Sequence, residues 1–263
     1  MVAGLGLAAW MTLPAAAQSG MAPAKPAPSG SAGAAPSAKP DVTPKCKPGM
    51  VPIAAAKFTM SDDENKEKGE RVTVDAFCMD RTEVTVSPYA ACVKAGKCKP
   101  ADTGGGCNAG LGDRENHPIN CLDWDQADAY CKAQGERLPT EEEWEYAARG
   151  TDGRFYPWGN APPSNQLCWN GEGNDKGKGN RGSTCAVGSY PKGRSPFGLD
   201  DMSGNVWEWT SSFDDSSESY RVSRGGGWYH AVASLFRSAV RGSYAASIRL
   251  VNLGLRCAGS PLP

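Results

Sequence analysis

Apolar positions along the chain fall into short runs separated by turn-forming residues. Tyr89, Cys92 and Val93 recur at helical spacing. Ser87 precedes them as a hydroxyl cap, Pro88 suits a first helical position, and Gly96 can end the helix. A second helix is predicted from near Asp123 to near Gly135, burying Ala127, Tyr130 and Cys131. Thr140-Glu141-Glu142-Glu143 reads as a capping box opening a third helix, with Trp144, Ala147 and Ala148 on one face. Arg71 to Phe77 alternates apolar and polar positions, and Val206 to Thr210 is a second strand candidate. From Tyr156 onward, Gly, Asn, Ser and Pro interrupt nearly every run. The pattern predicts three short helices, a few short strands and much irregular chain.

Composition supports that picture. The chain has 263 residues, with 32 Gly and 20 Pro, which cannot sit inside long helices or central strands. All Trp except Trp10 fall between Trp124 and Trp228, marking an aromatic-rich core. The formal net charge of −1 gives no basic face for nucleic acid. Residues 1–17 are apolar or small and end in Ala15-Ala16-Ala17, as a signal peptide does, although no Lys or Arg precedes Lys25. Residues 18–45, rich in Ala, Pro, Ser and Gly, read as an extended linker. The folded domain is expected at 46–263, with no membrane span in the mature chain. The ten cysteines are even in number, form no C-x-x-C pair and accompany only two histidines, so disulfides are expected rather than zinc. That implies a periplasmic or secreted protein.

Seven motifs then stand in a fixed order. They are Phe58-Thr59-Met60; Asp80-Arg81-Thr82-Glu83-Val84-Thr85; the run Gly135 to Gly150 (GERLPTEEEWEYAARG); Tyr156 to Asn160 (YPWGN); Gly204 to Trp209 (GNVWEW); Arg224 to Trp228 (RGGGW); and Asn252 to Cys257 (NLGLRC). Over roughly residues 50–258 this order resembles the sulfatase-modifying-factor, or formylglycine-generating-enzyme, domain family. The resemblance implies an irregular, disulfide-stapled α+β fold of the C-type-lectin-like kind, with short helices, short antiparallel strands and many loops. Within it, Trp144, Trp158, Trp207 and Trp228 are expected in the core. Arg137 and Arg149 are expected to satisfy buried carbonyls and carboxylates, and Gly225 to Gly227 to allow unusual backbone angles.

The oxidase of this family is implied to hold copper on two thiolates between the RGG and NLG motifs. Here that interval contains no cysteine, and none lies between Cys185 and Cys257. The first thiolate's place falls near His230 and the second's near Ala233 or Ser234, so a copper site and catalytic residues are not expected. The family's iron-dependent branch needs an extra helical domain and more histidines than this chain has. His230 reads as a half-exposed loop residue, with no carboxylate beside it in sequence to orient it. The resemblance implies Ca²⁺ bound by the side chains of Asp201 and Glu208 and the carbonyls of Gly204 and Val206. The family's other calcium site is lost, since its first ligand falls at Leu167 and its carboxylate near Gly179. Cys168 and Cys185, beside these positions, are expected to form a disulfide closing that loop in place of the ion. The family also suggests a Cys131–Cys257 disulfide. The pairing of Cys46, Cys78, Cys92, Cys98, Cys107 and Cys121 stays open.

The functional expectation is a calcium-stabilised binding module for a protein or peptide. Its ligand face is expected at Tyr229, His230, Phe236, Arg237, Arg241 and Tyr244, since aromatic and Arg side chains anchor interfaces. The alternatives are a formylglycine-generating oxidase acting on sulfatase cysteines, or another enzymatic activity in the same cleft.

Overall fold

Among the described residues, local capping signals set two of the three α-helices. The computed structural model describes residues 44–62, 65–214 and 217–263; the expected signal segment and the linker up to residue 43 lie outside them. Helix α2 (Trp124–Ala133) is capped by Asp123, whose carboxylate accepts from Gln126 N while the Gln126 side chain accepts from Asp123 N. Helix α3 (Glu141–Arg149) opens on the Thr140/Glu143 box in the same reciprocal way. Helix α1 (Val86–Lys94) departs from the expectation. Its cap is Thr85, not Ser87, and no side-chain cap is made. The Val86 and Ser87 amides donate instead to the His117 and Glu115 carbonyls at 3.0 and 3.1 Å. A neighbouring segment thus satisfies the orphan donors that a hydroxyl would otherwise serve.

The strands are short. β1 (Met50–Ile53), β4 (Phe77–Asp80) and β9 (Ala258–Gly259) form one antiparallel sheet. β2 (Ala56–Asp62) and β3 (Asn65–Val74) form a hairpin. The predicted 71–77 strand is therefore split: Arg71 to Val74 end β3, and Phe77 begins β4. A second sheet runs β7-β6-β5-β8, from β5 (Trp207–Asp214), β6 (Ser217–Arg224), β7 (Arg241–Ala245) and β8 (Leu253–Gly254). All its pairings are antiparallel except β5 with β8, which is parallel.

Three apolar clusters fill the interior. One joins α1 and α2 to β5 and β8 through Tyr89, Leu122, Tyr130, Trp209 and Leu255. A second packs α3 on β1, β2 and β4 through Ile53, Phe58, Met79 and Trp144. The third is small and holds Tyr156, Leu167, Trp169 and Phe236. Trp144 and Trp207 are buried as expected, whereas Trp158 and Trp228 are only half-buried. Each of the latter donates its indole N–H to a loop carbonyl, Trp158 to Ala161 and Trp228 to Val251. An amphipathic ring in that position fits the boundary between core and solvent. Arg137 and Arg149 serve carboxylates: Arg137 forks onto Glu143 with two 2.6 Å bonds, and Arg149 meets Glu145 at 2.9 Å.

All ten cysteines are paired. Cys131 joins Cys257 and Cys168 joins Cys185, and the remaining six pair as Cys46–Cys78, Cys92–Cys98 and Cys107–Cys121. Among the described residues no helix is long and apolar enough to cross a membrane.

Candidate functional site

The segment after the RGG motif is shaped by its glycines. Gly225 and Gly226 have φ of 100° and 79°. A Cβ on Gly226 would stand 2.8 Å from the Phe236 ring, and one on Gly227 would stand 2.8 Å from the Asn252 side chain. The backbone can therefore turn tightly here only without side chains. Trp228 N–H donates to Asn205 C=O at 2.7 Å, and His230 N–H donates to Gly227 C=O at 3.0 Å. His230 is half-buried, and its Nε2 accepts from the Trp207 indole N–H at 3.1 Å. Tyr229 lies against the imidazole with ring centroids 4.2 Å apart. Burial lowers the His230 pKa, so the ring is neutral near pH 7. With Nε2 as acceptor, the proton resides on Nδ1. An indole, not a carboxylate, orients this imidazole, so it lacks the partner that would activate a general base.

The six predicted face residues do not form one exposed surface. Phe236 is fully buried, edge-on to Trp169 at 5.5 Å, and belongs to the core rather than the face. Gly226 leaves the room that admits its ring. Arg237 lies over the Phe155 ring at 4.9 Å. Arg241 is ion-paired to Glu141 at 2.8 Å, and Glu141 also holds the buried Arg224. Tyr244 is half-buried and meets Trp209 edge-on. Tyr229 (44% exposed), half-buried His230 and the exposed, ion-paired Arg241 remain at the surface, joined by Val232 (58% exposed), which the sequence reading missed. Its neighbours Ala231, Ala233, Leu235 and Phe236 are apolar too, so nothing local marks it as exposed.

Beneath this segment lies a buried cluster of charges. Asp201, Glu208 and Arg256 are buried, and so is Glu83 of the 80–85 motif. Arg256 uses Nε and Nη2 to hold both Glu208 oxygens at 2.7 Å, and donates further to the carbonyls of Asp80, Arg81 and Asp200. Trp144 Nε1 donates to Glu208 Oε2 at 2.6 Å. Glu83 accepts from Val206 N and Asn205 Nδ2. Asp201, at φ 57°, accepts from Gly188 N through Oδ2 at 2.6 Å. Burial, with repulsion from Asp201 and Glu208, raises the Glu83 carboxyl well above its ordinary range. Burial first, then Asp200 and Glu208, push Asp201 up to about 6 against the pull of Gly188 and Arg256. Three buried carboxylates thus share one buried guanidinium. As a group they call for either protons or a second cation. Of the four residues expected to bind Ca²⁺, Asp201 and Glu208 belong to this cluster, and Gly204 and Val206 lie on the backbone between them in sequence. Glu208 is already engaged by Arg256 and Trp144.

A neighbouring carboxyl gives a clean pH prediction. Asp80 is pushed up to about 6, first by burial, then by Glu136 and Glu208, while the Cys257 N–H bond and Arg256 oppose the rise. An unfolded Asp titrates at about 3.9. The folded chain therefore binds the extra proton between about pH 4 and 6, and Asp80 subtracts stability as pH rises through that window. Asp80→Asn should be more stable than the parent above about pH 6, with the difference vanishing toward about pH 4. Urea midpoints of both proteins across this range check it; a pH-independent difference would contradict it.

A further polar cavity of about 460 Å³ opens beside Cys185, with Arg114, His117, Lys176, Arg181 and Tyr190 in its wall.

Comparison with known proteins adds the following. Residues 36–261 match the model of the sulfatase-modifying factor enzyme 1-like domain. The chain is 31% identical to formylglycine-generating enzyme of Mus musculus over 283 aligned residues, covering 81% of this chain and 76% of that relative. It is 37% identical to inactive C-alpha-formylglycine-generating enzyme 2 of Mus musculus over 164 residues, 59% of this chain and 53% of the relative. Among solved structures, PvdO from Pseudomonas aeruginosa superposes with a TM-score of 0.64 at 27% identity, covering 84% of this chain and 99% of that one. Treponema denticola variable protein 1 shares the fold, with a TM-score of 0.64 at 23% identity over 81% of this chain and 95% of its own.

Proposed function

This chain belongs to the sulfatase-modifying factor enzyme 1-like domain family, and from that membership we propose that it is an exported, calcium-stabilised binding module without oxidase chemistry. The observation that carries the reading is the aromatic and imidazole surface of Tyr229 and His230, in the interval where the family's first copper thiolate falls near His230 and its second near Ala233 or Ser234. Every cysteine is in a disulfide in this structure, and none lies between Cys185 and Cys257, where the family's copper pair falls. The neutral His230 ring already accepts from Trp207. Similarity to both formylglycine-generating enzyme and its inactive counterpart shows that matching this family does not by itself imply the oxidase reaction. Five disulfides support export.

The ligand in this reading is a protein or peptide segment with an apolar or aromatic side chain. Tyr229 and Val232 offer exposed apolar surface, and His230 offers a neutral polar edge. A displayed-peptide library should enrich binders on the parent protein that Tyr229→Ala combined with Val232→Ser no longer retains. Binders indifferent to the double variant would move the site elsewhere.

Calcium enters as the cation that the buried carboxylates call for. Asp201, with the Gly204 and Val206 carbonyls, would hold it, and Glu208 would share its charge between the ion and Arg256. The ion's contribution is structural charge neutralisation. At about a hundredfold excess over Kd it would add roughly 2.7 kcal/mol. The melting temperature should therefore be several degrees higher with calcium than with a chelator at pH 7, and this increment should disappear in Asp201→Asn. Equal melting temperatures would remove calcium from the account.

A further inference from the structure

The loop between Cys168 and Cys185 carries its own cation against its closing disulfide. Arg181 is only 8% exposed, and its Nη1 lies 2.7 Å from Cys185 Sγ. Its Nε donates to the Trp169 carbonyl at 3.0 Å, and its Nη2 reaches the Tyr190 hydroxyl and the Asp175 carboxylate. Cys168 is buried, whereas Cys185 is half-buried and lines the 460 Å³ polar cavity. The pairs Cys92–Cys98, Cys107–Cys121 and Cys131–Cys257 are buried at both ends. Cys46 is also half-buried, but among the described residues no guanidinium donates to its sulfur.

We propose that Cys168–Cys185 is a redox-exchanging disulfide, opened by a dithiol reductant that enters this cavity, and that its state governs the Tyr229–Val232 surface. A thiolate of the dithiol attacks Cys185 Sγ, the accessible sulfur. The Cys168–Cys185 bond breaks, and Cys168 leaves as a thiolate that takes up a proton. The second thiol of the reductant loses its proton and attacks its own sulfur in the mixed disulfide. Cys185 then leaves as a thiolate beside the Arg181 guanidinium. The dithiol gives up two electrons and becomes a disulfide, while the protein gains two thiols. A cation at the departing sulfur speeds the second step and stabilises the reduced state, so this bridge opens more readily than the others.

The loop supports the segment above it. Asn170 N–H donates to the His230 carbonyl at 2.9 Å, Asn205 N–H donates to the Cys168 carbonyl at 2.8 Å, and Trp169 packs edge-on against Phe236. Opening the loop loosens the bonds that hold His230 in place. This second half rests on reading the surface as a ligand face; the exchange itself does not.

The test uses the full chain in graded dithiothreitol at pH 7, with thiols trapped by iodoacetamide and peptides mapped by mass spectrometry. Cys168 and Cys185 should be labelled at reductant concentrations about tenfold or more below those that label the other cysteines. Arg181→Gln should move the pair toward the others, and Arg181→Lys should keep most of the effect. Labelling of all cysteines together, or of this pair last, overturns the exchange, whether or not the variants fold. Hydrogen exchange at residues 228–232 should rise after selective reduction. Unchanged exchange there overturns the coupling but leaves the disulfide chemistry standing.

Discussion

Arg256→Met is expected to lower the free energy of unfolding by on the order of 3–5 kcal/mol. The side chain is completely buried and donates to both Glu208 oxygens and to three backbone carbonyls. Methionine fills much of the volume but supplies no donor and no charge. Among the described residues Glu208 would keep the Trp144 indole, and Glu83 and Asp201 would lose the Arg256 charge that offsets their repulsion. Leaving a buried charge unpaired costs far more than the pair itself contributes. Glu208→Gln combined with Arg256→Met should therefore recover part of the loss, because an uncharged amide no longer demands a counter-charge. Urea unfolding of the parent, both single variants and the double variant measures this coupling. A loss below about 1 kcal/mol for Arg256→Met would show that this cluster is not what the geometry implies.

The second large effect lies at Cys131–Cys257. This bridge joins α2 to the end of the chain across 126 residues, and both sulfurs are fully buried. In the chain-entropy model a loop near that length contributes on the order of 4–5 kcal/mol. Replacing both cysteines by alanine should cost about that much. Removing Cys92–Cys98, which spans only 6 residues, should cost roughly 2 kcal/mol on the same basis. Thermal unfolding of the two double variants gives the ordering. Equal losses, or the reverse order, would mean that native strain or residual structure in the unfolded chain outweighs loop entropy.

Local chemistry was the legible part of the fold. The Thr140/Glu143 box needs only residues three apart and forms as the sequence indicates, and α2 begins beside the expected start near Asp123. The start of α1 was misplaced because the partners of its first amides, at Glu115 and His117, come from a distant segment. The 71–77 strand was split because alternation continues through Asp75-Ala76, where the chain passes from one sheet to another. The ordered motifs gave the family, and with it the irregular α+β architecture that the structure shows.

The candidate site was legible in its residue types but not in its exposure. Phe236 looks like an interface anchor in sequence; only the missing Cβ of Gly226 and the position of Trp169 reveal it as core. Arg241 is exposed as expected, but its guanidinium is held by Glu141, 100 positions earlier. Glu83 drew no attention by itself, yet it supplies the third carboxylate of the buried cluster. In each case the deciding contact is long-range, which no local pattern records.

The central claim is that this domain binds rather than oxidises. The most direct measurement mixes copper-loaded protein, a reductant and oxygen with a sulfatase-type Cys-x-Pro-x-Arg peptide and follows the cysteine by mass spectrometry. An active formylglycine-generating enzyme runs in parallel. The account predicts no aldehyde in the sample and full conversion in the control. Aldehyde formed by this protein would contradict it and make His230 the first residue to replace.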